Sequence, residues 1–411
     1  MSVKMQASKI INDPVFGFIN IPKGLIMEVV THPMMQRLHR IKQLGLSCMV
    51  YPGAQHTRFQ HSLGAFFLMT EAINSLRGKG VEITDDEAVS VKIAILLHDV
   101  GHGPFSHVLE STIAPGVHHE ELSLLLMEQM NRELDGQLDL AIRIYKDEYE
   151  KRFLHQLVSS QLDMDRLDYL RRDSFYTGVT EGNIGSARII KMLGVKDDHL
   201  VVEAKGIYSI ENFLAARRLM YWQVYLHKTS VACEKMLINT LNRAKELAKA
   251  GEELGVSPAL RYFLYRDITR ESFASDECLL AFTALDDNDI WCALKAWTRY
   301  PDKVLATLSN GLVNRRLFKV ENSDRPFERE YKEEIMARIC LALGVSRREA
   351  GYLQCAVTHE KDMYSPVDDH IEILYNDGTT RDIAEASDMF NLPLLQKKVK
   401  KYYFCYYRMK D

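Results

Sequence analysis

Residues Leu96–His107 read LLHDVGHGPFSH, an apolar run that ends on His98-Asp99 and turns at once on glycine. Val89, Ile93, Leu96 and Leu97 recur at helical spacing over Asp86–Val100, so an apolar helix delivers His98 and Asp99 at its end. Gly101 and Gly103 then break the backbone at once. Neighbouring side chains diverge by about 100° within a helix, but where the helix ends on glycine both can converge on one point. An imidazole and a carboxylate meeting there suit a metal ion, or acid–base work near neutral pH.

Seven of the fourteen histidines fall between His56 and His119: His56, His61, His98, His102, His107, His118 and His119. An even spread would place about two in that window. A helix is expected to open near His61, carrying Phe66, Met69, Ile73 and Leu76 on its apolar side. Further on, Leu162–Asp173 reads LDMDRLDYLRRD, where Asp165, Tyr169 and Asp173 stand at i, i+4 and i+8 on one helical face and would line a pocket. A single histidine on an apolar helix is more often a core residue than a ligand, but His61, His98, Asp99 and Asp165 together make a set of two imidazoles and two carboxylates. That set leaves coordination positions open, as an ion that activates water requires and a closed structural zinc site does not.

The same helical period recurs over Met27–Leu44, His119–Asn131, Leu138–Asp173, Ile210–Lys249 and Asp289–Leu308, with Pro33 near the start of the first and Gly45 ending it. A mostly α, multi-helical fold follows. Asp13–Pro22, DPVFGFINIP, suits a small hairpin. The tail differs from the body: HIEILY, a turn at Asn376–Thr379 and YYFCYYR read as strands, so a small α+β region is expected at the C-terminus.

Composition narrows the function. The 411 residues are 46% hydrophobic and 26% charged with 22 Gly and 11 Pro, which excludes disordered and collagenous classes. A net charge of −4 gives no global field for nucleic acid or an anionic membrane. The seven cysteines are scattered without a C-x-x-C pair, which argues against a disulfide framework and for the reduced cytoplasm. No leader is expected, and no apolar run reaches the roughly 18 residues of a membrane span.

The order H…HD…D resembles the HD-domain phosphohydrolase superfamily. Arg37–Gly64 (RLHRIKQLGLSCMVYPGAQHTRFQHSLG), LLHDVGHGPFSH, HHEELS, LDMDRLDYLRRD and VYLHKT are, in sequence and order, similar to the deoxynucleoside triphosphate (dNTP) triphosphohydrolases, which include the sterile-alpha-motif and HD-domain enzymes and the bacterial dGTPase-like proteins. The similarity covers about Asp13–Lys228. Together with the residue patterns it leads to an HD-domain catalytic core with helical extensions over 1–310 and a small α+β region over 311–411, and, unlike the vertebrate members, no sterile-alpha-motif domain is expected before the HD region.

Carried over by position, the resemblance makes His61, His98, Asp99 and Asp165 the metal ligands. It makes His119 the key catalytic residue with Glu120 as its carboxylate partner, and turns His102 and His107 to the α-phosphate. Arg58 and Arg166 would pair with phosphate oxygens, Gln43 and Asp173 would hold the sugar 3′-hydroxyl, and Tyr169 and Tyr225 would pack on the deoxyribose. The implied reaction is metal-dependent hydrolysis of a dNTP to nucleoside and triphosphate. One divalent transition metal is expected, with Fe, Mn, Co, Ni and Zn all suited to the set, and Mg on the substrate phosphates. The resemblance also implies a homo-oligomer, dimer or tetramer, and a nucleotide effector, although Thr31 and His39 stand where an aspartate and an arginine would read a guanine.

Two other classes stay in view: a different HD reaction on a nucleoside monophosphate or alarmone, and a nucleic-acid binder or nuclease using the same metal site. For the second, KKVKKYYFCYYRMK mixes cations and aromatics, but an edge strand guarded by lysines is the expected reading. Arg217-Arg218 and Arg315-Arg316 are expected on solvated faces, and Met34-Met35 in the core.

Overall fold

A computed structural model describes residues 8–105, 107–113, 115–361, 364, 370–389 and 398–409. Helices dominate it, and the expected mostly α fold with a small C-terminal α+β region is what it contains. The N-terminal hairpin pairs β1 (Ser8–Asp13) with β2 (Gly17–Pro22), Asp13 standing opposite Gly17 at the turn.

Four helices position the site: α1 (Arg58–Gly78), α2 (Asp85–Leu97), α3 (His119–Glu133) and α4 (Met164–Thr177). Reciprocal capping boxes fix where α1 and α2 begin, Thr57 with Gln60 in one and Thr84 with Glu87 in the other. Asp163 caps α4 by accepting from the Arg166 amide, and Gly178 ends that helix in the left-handed conformation at φ 75°. α1 packs against both α2 and α4. α2 runs through the interior: every residue from Val91 to Leu97 except Lys92 is buried, so the stretch that delivers His98 has almost no solvent face.

Several expected long helices are broken. Met27–Leu44 divides into Leu25–Thr31, Pro33–Gln36 and a 3-10 turn at Arg37–Arg40. Pro33 has no amide hydrogen and forces His32 out of the helical region, to φ −61° and ψ 139°. Leu138–Asp173 is three helices, Asp139–Tyr145, Arg152–Val158 and α4, with Asp147 at φ 57° in the first break. Ile210–Lys249 divides into α5 (Ile207–Met220), a π turn at Tyr221–Tyr225 and α6 (Lys228–Lys249). Asp289–Leu308 is interrupted between Trp297 and Lys303 by Pro301.

β3 (Leu193–Lys196) and β4 (His199–Glu203) form a sheet with two strands from the tail, β4 lying between β3 and the tail strands. β7 (Glu372–Leu374) lies parallel to β4 and antiparallel to β8 (Thr380–Asp382), across a turn with Gly378 at φ 81°. In the second C-terminal sheet β9 (Val399–Tyr406) is central, between β5 (Lys319–Ser323) and β6 (Gln354–Lys361). The edge-strand reading is therefore corrected: both edges of β9 are paired, and Tyr403–Tyr406 are buried. Met34 and Met35 are buried as expected. Among the described residues no helix is long and apolar enough to cross a membrane.

Candidate metal centre and active site

His61 stands in the first turn of α1 and is fully buried. Its Nδ1 donates to Asp168 Oδ2 at 2.7 Å, so Nε2 is left to face Asp165 Oδ1 at 3.0 Å, His98 Nε2 at 3.3 Å and Asp99 Oδ2 at 3.6 Å. His98, just past the end of α2, donates from Nδ1 to the Ile95 carbonyl at 2.6 Å and turns Nε2 toward Asp99 and Asp165 at 3.4 and 3.5 Å. Both rings therefore have Nδ1 engaged and Nε2 aimed at one point, the arrangement in which outer partners fix the tautomer of metal-ligating histidines.

Burial would lift the carboxyl groups, but His98, His102 and Arg58 hold Asp99 well below the usual range, and His61 and His98 do the same for Asp165. Burial would likewise lower His61, yet hydrogen bonds to Asp165 and Asp168 raise it to about 10. Two ionised carboxylates thus face two imidazole rings, and ligand atoms of His61, His98 and Asp99 lie within 4.8 Å of one another. Nitrogen and oxygen donors in this ratio fit a borderline divalent ion.

Gly101 explains how the loop after His98 reaches α3. A Cβ at this position would lie 2.2 Å from the Ser123 amide nitrogen and 2.3 Å from the His119 carbonyl oxygen. Ser123 Oγ ties the two segments together, accepting from the Gly101 amide at 2.9 Å and donating to the His98 carbonyl at 2.7 Å. The contact brings the His119 ring over His102, with centroids 3.8 Å apart. His102 Nε2 is 3.1 Å from Asp99, and its pKa falls to about 3 through burial and the nearby Arg58. His119 Nδ1 meets Glu110 Oε1 at 3.0 Å, while the largely exposed Glu120 lies 3.3 Å from Nε2. Glu110, from the short helix His107–Thr112, is a partner that sequence reasoning missed, since nothing in its spacing ties it to His119. The His107 side chain lies outside the described residues.

One cavity of about 590 Å³ opens over this cage. It is lined by His98, Asp99, His102, His119, Glu120 and Asp165, and also by Gln43, Arg58, Arg166, Tyr169, Asp173 and Tyr225. His61 lies behind this lining. Arg58 donates to Asp99 at 2.6 Å, and Arg166 pairs with the helix cap Asp163 at 3.3 Å. Asp173 accepts from His56 Nε2 at 2.7 Å and from the Tyr225 hydroxyl at 2.8 Å. The π turn aims Tyr225, since Leu226 N reaches back five residues to the Tyr221 carbonyl, and its ring meets Tyr169 edge-on at 6.0 Å. Gln43 Oε1, Arg58 Nε and Arg166 Nε are buried without a hydrogen-bond partner among the described residues.

The chain matches the HD domain over residues 58–173 and the HD associated region over 184–254. It is 33% identical to the uncharacterised protein YwfO of Bacillus subtilis, over 77% of this chain and 72% of that one. It is 31% identical to the deoxynucleoside triphosphate triphosphohydrolase SAMHD1 homolog of Dictyostelium discoideum, over 61% of this chain, and spans about half (52%) of that relative's length. The crystal structure of a phosphohydrolase from Bacteroides thetaiotaomicron superposes with a TM-score of 0.96 at 68% identity, covering 98% of this chain and all of that one.

Proposed function

Because the chain belongs to the HD-domain phosphohydrolase superfamily, we propose that it hydrolyses deoxynucleoside triphosphates to deoxynucleoside and inorganic triphosphate. The observation that carries this reading is the single cavity in which the His61–His98–Asp99–Asp165 cage, two stacked imidazoles, the guanidinium groups of Arg58 and Arg166 and the Asp173–Tyr225 pair come together. A triphosphate needs the cations, and a sugar hydroxyl needs an oriented carboxylate beside an aromatic wall.

A divalent ion in the cage supplies Lewis acidity toward a phosphoryl oxygen and a lowered pKa for water. Arg58 and Arg166, both in the cavity lining, neutralise non-bridging oxygens. Gln43 and Asp173 hold the 3′-hydroxyl, and Tyr169 and Tyr225 wall the deoxyribose. Water attacks the α-phosphorus, a new P–O bond forming as the bond to O5′ breaks. His119 gives a proton to the departing O5′ and recovers one from the attacking water over the cycle. Glu110, on Nδ1, holds the ring in the tautomer that presents the other nitrogen to substrate. His102, kept neutral by burial beside Arg58, hydrogen-bonds to the α-phosphate.

Incubating the protein with each dNTP and a panel of divalent metals, then separating products by ion exchange, tests the reading. Nucleoside plus triphosphate, abolished in Asp165→Ala, is expected. Pyrophosphate or monophosphate as product, or no turnover with any metal, would overturn it in favour of another HD reaction. Adding a second nucleotide to the same assay tests for an effector, and light scattering with and without it tests for a homo-oligomer.

A further inference from the structure

The anchor of His61 does not stop at Asp168. Asp168 is wholly buried and is gripped by Arg172 one turn later, Nε to Oδ2 at 2.9 Å and Nη2 to Oδ1 at 3.0 Å. Arg172 is itself fully buried, and its other edge donates to Asp13 on the N-terminal hairpin, Nη1 to Oδ2 at 2.7 Å and Nη2 to Oδ1 at 3.3 Å. Asp13 is fixed in turn by the amides of Val15 and Phe16, which donate to its Oδ1 at 3.0 and 2.9 Å. The packing leaves no slack: a Cβ on Gly64 would fall 1.9 Å from Asp168 Oδ1 and 2.1 Å from Arg172 Nη2.

We infer that Asp13 is a positioning residue for the metal centre, acting on His61 through Arg172 and Asp168; the inference rests on the reading of His61 as a metal ligand. One guanidinium between two carboxylates is the arrangement in which a buried arginine is paired on both edges. Without the Asp13 charge, Arg172 has a single buried counter-ion and a free edge, so its hold on Asp168, and the angle at which Asp168 sets the His61 ring, relaxes. The hairpin is therefore part of the metal site, although none of its residues touches the cage.

The test titrates Co²⁺ into wild type, His61→Ala, Asp13→Asn, Asp168→Asn and the double variant Asp13→Asn/Asp168→Asn. The readouts are the dissociation constant and the visible Co²⁺ absorption, which reports ligand geometry. Asn20→Ala, an exposed change on the same hairpin, is the control. Outer-shell changes at metal sites cost about 10–100-fold in affinity, so Asp13→Asn is expected to bind Co²⁺ about tenfold more weakly with an altered spectrum. The double variant should be no weaker than Asp168→Asn alone. An Asp13→Asn protein with wild-type affinity and spectrum overturns the inference, whereas undiminished binding by His61→Ala overturns the metal-ligand reading beneath it. If Asp13→Asn does not fold, hydrogen exchange on the wild type decides. Coupling is reciprocal, so Co²⁺ must slow exchange of the Val15 and Phe16 amides, and unchanged rates there overturn the inference.

Discussion

Replacing Gly101 with alanine tests the claim that a close backbone approach sets catalytic geometry. The new methyl would meet the Ser123 nitrogen at 2.2 Å and the His119 carbonyl oxygen at 2.3 Å, both backbone atoms near the start of α3, which no rotamer change can move. Reaching ordinary contact requires the loop and α3 to separate by about 1 Å. That separation would stretch both hydrogen bonds of Ser123, at 2.9 and 2.7 Å, and carry His119 away from His102. Overpacking of this kind costs about 1–3 kcal/mol, and a misplacement of 1 Å at a reacting group costs about 100-fold in rate. Of the proposed metal ligands, His61 and Asp165 sit on α1 and α4, and His98 and Asp99 directly follow α2 with the His98 ring held by the Ile95 carbonyl of that helix, so Co²⁺ affinity should change less than kcat. Gly103→Ala is the internal control, because its Cβ would meet only side-chain carbons of Leu109 and Phe282, at 3.1 Å and beyond. Steady-state dNTP turnover, Co²⁺ titration and thermal unfolding of both variants provide the comparison. A Gly101→Ala protein with wild-type kcat and melting temperature would refute the reasoning.

Glu110→Gln is expected to lower kcat about tenfold or more, and Glu120→Gln much less, because Glu110 meets His119 Nδ1 while Glu120 is mostly exposed; the opposite order at saturating dNTP would reassign the partner. In the metal-free protein, hydrogen bonds to Asp165 and Asp168 overcome burial and hold His61 at about 10. Its charged form therefore contributes stability that is complete below the unfolded value near 6.5 and fades as pH rises through 10. A metal competes with that proton for Nε2, so Co²⁺ affinity should rise about tenfold per pH unit over the neutral range, and calorimetry in buffers of different ionisation enthalpy should count a proton released. Tyr225→Phe removes one of two donors to the buried Asp173 and should raise the dNTP KM about tenfold, the worth of a hydrogen bond to a charged group, with a smaller change in kcat; an unchanged KM would remove Asp173 from the sugar site.

What could be read in the sequence was local. His98 and Asp99 at a glycine turn, and Asp165, Tyr169 and Asp173 at helical spacing, depend on a few adjacent residues, and all of them line one cavity. Helix breaks were harder to see, because apolar residues on both sides of a short loop still face the same core and the period runs on across it. Asp147 at φ 57° and the π turn at Tyr221–Tyr225 leave little trace in composition. The strand β9 looked like a guarded edge because its lysines are local, while its two partners, β5 and β6, lie far away in the chain. Glu110 and Asp13 reach the site only through the folding of distant segments.

The helix α4 shows why so much of the chemistry sits in one short motif. With about 3.6 residues per turn, Asp165, Tyr169 and Asp173 share the face that lines the cavity, as does Arg166. Asp168 and Arg172, one turn apart on the neighbouring face, point away from substrate toward His61 and the hairpin. A single rigid element thus fixes the proposed metal ligand Asp165, the proposed sugar contacts Tyr169 and Asp173, and the anchor of His61 relative to one another. A change that rotates α4 would disturb all three together, whereas α3, joined to the cage through the Gly101 contact, can be displaced alone. Variants in the Gly101–Ser123 contact should therefore separate turnover from metal binding, and variants of Asp168 or Arg172 should not.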